Sequence, residues 1–558
     1  MLFKRRSGRD GSNESDGASS TPNGTVAFDG DLKYVGEVGG NDAPEMFQEA
    51  GGAPVESHSP LGYSVGPVTI LFLNISMMIG TGIYSTPSSI LSGTGSVGLT
   101  YFPSRSGAEV VNLEQAYPSP RFLFPTAFAM QNVILSFRSS NAIVLANYLF
   151  ATAGHTGTSW QIKGVAIVGY SVATLAAMLH TKGAYYFSNC IGVVKLLTLV
   201  FIAITGWVVL GGHTSVENPR ANFDNAFQGT ATPYGLTNAL YRIVFSYAGY
   251  NNAFNVVNEI KNPVKQIKRN GTIAILVVMS LYLFANVAFI AAVGKDDLEK
   301  SGTIAASLFF KAVFGSSNSS RGLNFLIALS SFGNLIAVLI GAARQLRECG
   351  RQGVLPWTRF WVSTWPFGTP AGPYFFDWAL TVIVILAVPT GDAFNFVSDL
   401  AVFPSSFFSL AMAVGLYVVR WRRKKANLPR PSFKAWHPVV IFNILVQLYL
   451  IVMPWYPPTG GKGDVSFWYG TYVVTGVAIV LSCVAYYVFW VKLLPRWRGY
   501  QLRQEVLQLD GGAQGHQLVK VPLEQVAEWD ATHDAAGRAI GAGSLADNRT
   551  EVLAGEKA

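Results

Sequence analysis

Hydrophobic residues are gathered along this chain in long continuous runs that are separated by short polar stretches. Most of the runs reach the ~20 residues that a helix needs to cross ~30 Å of hydrocarbon. Three of them are shorter and need flanking residues to complete a span. The pattern predicts an all-α polytopic membrane protein with eleven visible spans. These are residues 68–90, 123–150, 164–179, 184–210, 236–257, 273–293, 323–342, 375–388, 393–419, 438–453 and 467–491.

Composition favours the same class of protein. Hydrophobic residues make up 50% of the 558 residues and charged residues only 13%, against roughly 25% charged in a soluble domain. Three scattered cysteines fit neither a disulfide scaffold nor a cysteine metal site. The histidines lack metal-ligand spacing, and no phosphate-binding loop or nucleophile motif is present. We therefore expect no enzyme activity, no cofactor and no metal.

The two ends of the chain differ from its middle. Residues 1–60 and the residues after 497 are polar and contain no apolar run, so they bury too little surface to fold alone. The sequence predicts a disordered N-tail at 1–60, a transmembrane domain at 61–497 and a disordered C-tail at 498–558. The net charge of +9 is spread over short clusters between apolar runs. That distribution indicates membrane topology and no nucleic-acid partner.

Basic residues indicate the orientation of the chain in the lipid bilayer. They are concentrated at 261–269, 344–359 and 420–434, and also at residues 4–6. Because cytoplasmic loops carry an excess of Lys and Arg, these stretches are predicted to be cytoplasmic. Counting spans backwards from these stretches then places 101–121 in the cytoplasm as well. The N-tail is also cytoplasmic, and a chain that crosses the membrane once, at 68–90, would place 101–121 outside. The number of spans before residue 101 is therefore short by one helix.

Two predicted spans are interrupted in their middle by glycine and polar residues. Paired interruptions of this kind are the best sequence pointer to a transporter site, since an unwound helix exposes N–H groups to a carboxylate and carbonyls to an amine. The alternative is that the glycines only allow close helix packing. The first interruption is Ile79-Gly80-Thr81-Gly82-Ile83, and the second is Phe245-Ser246-Tyr247-Ala248-Gly249.

Charged residues inside predicted spans are a second pointer to function. Lys195 lies near the middle of 184–210, where a lysine is costly enough to suggest a role; a side chain in a wet cavity without a role is the alternative. Asp399 lies about two turns into its span, where it could face an outer vestibule or serve the site. Arg138 also lies within a span.

With the interruptions and Lys195 in view, the chain resembles the L-type branch of the amino acid–polyamine–organocation superfamily. Within that branch it is most similar to the fungal high-affinity methionine permeases. The resemblance covers roughly residues 46–495 and is strongest in 59–99, 101–137, 139–150 and 344–356.

The resemblance implies a secondary transporter that imports a neutral amino acid, above all methionine, through the plasma membrane, with a proton as the implied coupling ion. Its fold has a five-plus-five inverted repeat and two extra helices, with both tails cytoplasmic. The substrate carboxylate is expected at Ile79, Gly80, Thr81 and Gly82, and the amine at the carbonyls of Ser246, Tyr247, Ala248 and Gly249. Phe245 corresponds to an aromatic lid. Lys195 stands where sodium-driven relatives hold an ion, which implies sodium independence.

The chain departs from this pattern in two places. The family has a whole helix before Tyr101, whereas here the chain passes directly from Leu99 through Thr100 to Tyr101. This agrees with the charge count, so the second helix is missing, either through a misjudged exon boundary or through a real deletion. We expect this form to be inactive. Arg138 replaces an expected small polar residue and places an unpaired cation near the site. A non-transporting amino-acid receptor is the alternative function.

Overall fold

The computed structural model describes a mainly helical chain, as expected for the polytopic class. The described residues are 26–29, 32–35, 53–54, 59–79, 83, 108–214, 216–224, 232–260, 263–300, 305–315, 318–425, 435–458, 465–509, 513–533, 537 and 539. The segment 84–107, where the sequence analysis predicts that the second helix is missing, therefore lies outside the described residues. The same holds for Gly80, Thr81 and Gly82.

Twenty α-helices lie within the described residues. In chain order they are α1 Pro67–Met78, α2 Ala108–Ala116, α3 Leu123–Ile134, α4 Ser139–Ala153, α5 Ser159–Leu179, α6 Thr181–Leu210, α7 Ala221–Asp224, α8 Pro233–Ser246, α9 Asn252–Asn255, α10 Pro263–Ala292, α11 Lys295–Lys300, α12 Ala305–Phe314, α13 Asn318–Arg351, α14 Thr358–Val362, α15 Ala371–Ala387, α16 Thr390–Lys425, α17 His437–Val452, α18 Thr471–Tyr487, α19 Leu494–Arg498 and α20 Val526–Thr532. Short 3₁₀ segments lie at Val257–Glu259, Met453–Trp455 and Leu523–Gln525, and a π-helical segment at Val488–Leu493.

Eight helical stretches within the described residues are long and apolar enough to cross a membrane, and three apolar helices are shorter. Two predicted spans, 123–150 and 236–257, are each divided into two helices. The span predicted at 164–179 starts earlier, at Ser159, because Thr158 and Gln161 form a capping box. Reciprocal side-chain caps of this kind satisfy two of the free N–H groups at a helix start. The helix thereby reaches 21 residues.

The centre of the molecule is built around α1. This helix packs against α6, α10 and α13, and its side chains Ile70, Leu73 and Ile75 are buried in the largest hydrophobic cluster. The outward faces of α6 and α10 instead expose large apolar side chains. This distribution is typical of helices that face lipid on one side and the protein core on the other.

The terminal segments differ from the disorder predicted for 1–60 and 498–558. Strands β1 Val26–Asp29 and β2 Leu32–Val35 form one antiparallel pair, and β3 Tyr500–Gln508 pairs with β4 Gln514–Pro522. Only every second residue at the start of β3 is buried, so the segment needs no continuous apolar run. Residues 500–532 of the predicted C-tail therefore contain two strands, a 3₁₀ segment and a short helix.

The β3–β4 hairpin docks on the end of α13. Arg351 donates from Nε to the Gln514 carbonyl at 2.7 Å and from Nη2 to the carbonyl of Pro54 in the N-terminal segment. Farther out, Arg503 forms an ion pair with Asp530 at 2.7 Å, and this hydrogen bond lowers the pKa of the exposed carboxyl. Parts of both tails thus contact the same helix end.

The stretch 344–359, predicted to be a basic loop, is helical as far as Arg351. Arg344, Arg347 and Arg351 are each no more than 2% exposed because they are paired with carboxylates. Arg351 binds Glu348 at 2.8 Å. Buried charges are retained where such partners satisfy them, so these arginines contribute to packing as well as to the charge asymmetry of the chain.

Candidate functional site

The first interruption coincides with the end of α1. The helix stops at Met78, and Ile79 leaves the helical conformation with φ −73° and ψ 70°. Ile79 and Ile83 are both fully buried. Helix ends leave their last carbonyls without intrahelical donors, so the partners of these carbonyls decide how the end of α1 is held.

Lys195 supplies hydrogen-bond donors to the carbonyls at this helix end. Its ammonium donates to the carbonyl of Ser76 at 2.7 Å and to the carbonyl of Ile79 at 2.8 Å. The side chain is 0% exposed, and it reaches α1 from the middle of α6. A cation at the C-terminal end of a helix is also favoured by the helix dipole. Lys195 therefore fastens the interrupted helix to its neighbour.

Two further side chains complete the set of donors. Asn334 on α13 donates to the carbonyls of Ser76 at 3.0 Å and Met77 at 2.7 Å. Tyr282 on α10 donates to the carbonyl of Met78. The last three carbonyls of α1, those of Ser76, Met77 and Met78, therefore have side-chain donors, and the donors come from three different helices.

The second interruption follows α8. Phe245 and Ser246 end the helix, Tyr247 and Ala248 form a turn, and Gly249 adopts the left-handed region with φ 111°. Phe245 and Tyr247 are half-buried, Ser246 is buried and Ala248 is exposed. The described backbone then resumes helical structure at α9. The fifth span is therefore broken at the predicted residues.

The structure brings the two interruptions together. A Cβ atom on Gly249 would lie 2.3 Å from Cγ of Met77, so only glycine allows this approach. The Tyr282 hydroxyl, which already serves Met78, also lies 3.2 Å from the carbonyl of Ser246. In addition, the backbone N–H of Ala253 donates to the side chain of Asn74 on α1 at 2.9 Å. A site formed by unwound backbone from two helices is the arrangement that the paired interruptions predict.

Asp399 lies in a buried ion pair instead of an outer vestibule. Its carboxylate is 3.0 Å from Nη1 of Arg242, and both side chains are no more than 3% exposed. Arg242 also donates to the Ser398 hydroxyl at 2.5 Å. The pair connects α8, which leads into the second interruption, to α16. Sequence analysis missed Arg242, although a charged residue inside an apolar run was a signal for it.

Arg138 is not the unpaired cation that the sequence predicts. It lies in the gap between α3 and α4, and its Nε is 3.9 Å from the buried carboxylate of Asp377. Tyr170 donates a hydrogen bond to the other oxygen of Asp377. The backbone N–H of Arg138 donates to the Thr381 hydroxyl at 3.0 Å. The helix break in 123–150 is thus anchored to α15.

A third buried cluster holds the chain that leaves the second interruption. Glu259 pairs with Arg344 at 2.9 Å and accepts a hydrogen bond from Tyr185 at 3.0 Å. Arg344 also donates to the hydroxyl of Tyr374 at 2.6 Å. The backbone carbonyl of Glu259 accepts from the N–H of Val65, just before α1, at 3.1 Å. Both interrupted segments are therefore linked to α13 at the ends that lie away from the interruptions.

Within the described residues, no group of three or more His, Cys, Asp and Glu side chains is arranged to hold a metal ion. The polar groups around the interruptions are carbonyls, amides, hydroxyls, the Lys195 ammonium and the carboxylate of Glu109, which accepts a hydrogen bond from Asn251 at 2.8 Å.

Comparison with known proteins agrees with this geometry. The sequence model of the Amino acid permease family matches residues 65–479. The chain belongs to the amino acid permease family. It is therefore an integral, multi-pass membrane protein, and the two interruptions lie in a chain whose relatives are permeases and transporters by name.

Three relatives illustrate the similarity. The chain is 32% identical over 500 residues to the high-affinity methionine permease of Saccharomyces cerevisiae, which covers 84% of this chain and 86% of the relative. It is 25% identical over 494 residues to the low-affinity methionine permease of the same yeast, covering 83% and 89%. It is also 25% identical over 424 residues to the mouse b(0,+)-type amino acid transporter 1, covering 70% and 82%.

Proposed function

We propose that this permease imports a neutral amino acid, with methionine as its principal substrate, by alternating access. The observation that carries the substrate is the 32% identity to a high-affinity methionine permease over most of both chains. What supports the mechanism is the meeting of two broken helices at Met77 and Gly249. Sites of this kind lie at the midplane of secondary transporters, where one bundle moves against another.

The proposed site divides the substrate between the two interruptions. We place the carboxylate at the segment Ile79, Gly80, Thr81 and Gly82. The N–H of Ile79 is bonded to the Ile75 carbonyl, so the donors to the carboxylate are the N–H groups that follow it, because an unwound segment offers free donors. The ammonium binds to carbonyls of the second interruption, from Ser246 to Gly249. Phe245, half-buried at its start, closes over the substrate.

Lys195 has a supporting role in this proposal. Its ammonium occupies the carbonyls at the end of α1, which a bound sodium ion would otherwise satisfy. Uptake is therefore independent of sodium. The proposed driving ion is a proton. The fold is the five-plus-five inverted repeat with two extra helices in the plasma membrane, and the excess of basic residues places both tails in the cytoplasm.

The missing second helix remains part of the proposal. Each of the three alignments is longer than the part of this chain that it covers. For the first relative, for example, the alignment has 500 positions but covers only 84% of the 558 residues. Each relative therefore has residues at positions where this chain has none. This supports an internal loss of sequence. Transport experiments therefore use an extended form, defined as this chain with ~20–25 apolar residues inserted between Leu99 and Tyr101, the length of one span.

Gly249→Ala in the extended form is expected to raise the KM for methionine by about tenfold or more. The added Cβ would meet Met77 at a backbone conformation whose strain costs about 1–3 kcal/mol for other residues. Gly212→Ala is the matched control, because Gly212 has a similar positive φ and no atom within 4 Å of the added Cβ. Equal KM values for the two variants would show that the close approach of the interruptions is unimportant.

The substrate assignment is tested by uptake of labelled methionine in competition with leucine, cysteine and arginine. Cells that lack their own methionine uptake and express the extended form are expected to accumulate the label. Unlabelled methionine should compete best and arginine least, because two methionine permeases align with 84% and 83% of this chain. Strongest competition by arginine would refute methionine as the principal substrate.

A further inference from the structure

The end of α16 and the start of α17 form a surface that the proposed transport site does not use. Residues 417–439 contain seven Lys and Arg residues and no Asp or Glu. We call the described part of this surface the basic patch. It consists of Arg420, Trp421, Arg422, Lys424, Lys425 and Trp436.

Two arginines of the basic patch have structural roles. Arg422 donates to the carbonyl of Gln115, in the last turn of α2, at 3.0 Å. Arg420 donates from Nη2 to the carbonyl of Ala435 at 2.9 Å, and its guanidinium lies 5.6 Å from the ring centre of Tyr417. Nη1 of Arg420 is buried and has no acceptor within the described residues. Because this atom is buried, it lies out of reach of a ligand on the surface, and both arginines serve to hold the neighbouring segments in place.

The remaining members face outwards. Lys424 and Lys425 are exposed, and neither is paired with a carboxylate in the described part of the chain. Trp421 is 63% exposed and Trp436 is 77% exposed, and the ammonium of Lys425 lies 5.7 Å from the Trp421 ring centre. The basic patch thus combines unneutralised ammonium groups with two large aromatic surfaces.

We propose that the basic patch binds the headgroup of an anionic phospholipid such as phosphatidylserine. Its phosphate and carboxylate oxygens supply acceptors for the exposed ammonium groups of Lys424 and Lys425. A lipid fits better than an acidic protein because both tryptophans lie at ends of candidate membrane spans, where aromatic rings settle at the headgroup level. Clusters of Lys and Arg next to such ends attract anionic lipids. This inference does not depend on the proposed transport activity.

The test uses the purified 558-residue chain in detergent and measures binding of short-chain phosphatidylserine, with short-chain phosphatidylcholine for comparison, by native mass spectrometry. Each surface lysine contributes about fivefold to such binding, so Lys424→Gln combined with Lys425→Gln is expected to weaken it about 25-fold. The matched control, Lys295→Gln combined with Lys311→Gln, removes the same charge from two other exposed positions and should bind phosphatidylserine normally.

Three outcomes would overturn the proposal. They are equal losses in the two double variants, equal binding of phosphatidylcholine and phosphatidylserine by the unchanged chain, and displacement of phosphatidylserine by an equal concentration of inorganic phosphate. The last result would identify a site for free anions instead of lipid. Preferential binding of phosphatidylserine that is lost only in the Lys424 and Lys425 variant supports the proposal.

Discussion

Lys195→Ala in the extended form is expected to reduce methionine uptake by at least about tenfold while the protein still reaches the plasma membrane. The substitution removes the ammonium from two carbonyls at the end of α1. The Ser76 carbonyl keeps Asn334 as a donor, whereas the Ile79 carbonyl is left unsatisfied within the described residues. One buried group left unsatisfied costs about 1–3 kcal/mol, and 1.4 kcal/mol corresponds to about a tenfold change. The end of α1 then loses the position in which we propose that the carboxylate site forms. The measurement is initial uptake rate divided by surface protein.

Lys163→Ala is the matched control for this variant. Lys163 is also buried, at 8% exposure, and also donates to a backbone carbonyl, that of Leu386 at 2.7 Å. It joins α5 to the end of α15 and contacts neither interruption. We expect its loss to lower stability but to leave most of the uptake rate. Normal uptake by Lys195→Ala would remove the support for sodium independence as well as for the bracing role.

The 558-residue chain itself is expected to transport nothing, whereas the extended form transports. Without a second span between the first one and Tyr101, the residues after Leu99 stay outside. Every later loop is then inverted, and the seven basic residues of 420–434 lie outside. That orientation opposes the positive-inside bias. Otherwise, the segment 68–90 fails to cross, and its interrupted backbone has no partner helix in the hydrocarbon.

Expression of both forms in a strain that cannot take up methionine measures this difference directly. Growth on low methionine is expected only with the extended form, at comparable amounts of protein. Sequencing the transcript shows in parallel whether the missing residues are encoded. Growth supported by the 558-residue form would contradict the missing-helix argument, whatever the transcript contains.

Part of the site could be predicted from the sequence because its residues are unusual where they stand. A lysine in the middle of an apolar run is visible without any structure, and Lys195 was found in that way. The glycines and polar residues of the second interruption were also visible, and the chain breaks at Tyr247 and Gly249. The apolar runs likewise predicted most of the long helices, since their length follows from bilayer thickness.

Other parts could not be predicted because their meaning depends on contacts between distant helices. Asn334 and Tyr282 are ordinary residues of apolar helices until α13 and α10 place them against the end of α1. Asp377 becomes the partner of Arg138 only through the packing of α15. The β3–β4 hairpin escaped detection for a related reason, since its buried residues alternate with exposed ones and its binding surface is the end of another helix.

The most direct test of the account is methionine uptake into sealed lipid vesicles that contain the purified extended form. We predict time-dependent accumulation of labelled methionine in the vesicle interior, increased by an inward proton gradient, unaffected by sodium and released when the vesicles are permeabilised. A receptor that binds without transporting would instead retain label only in proportion to the protein, with no luminal pool and no response to the gradient. That second result would contradict the proposal that this permease moves its substrate across the membrane.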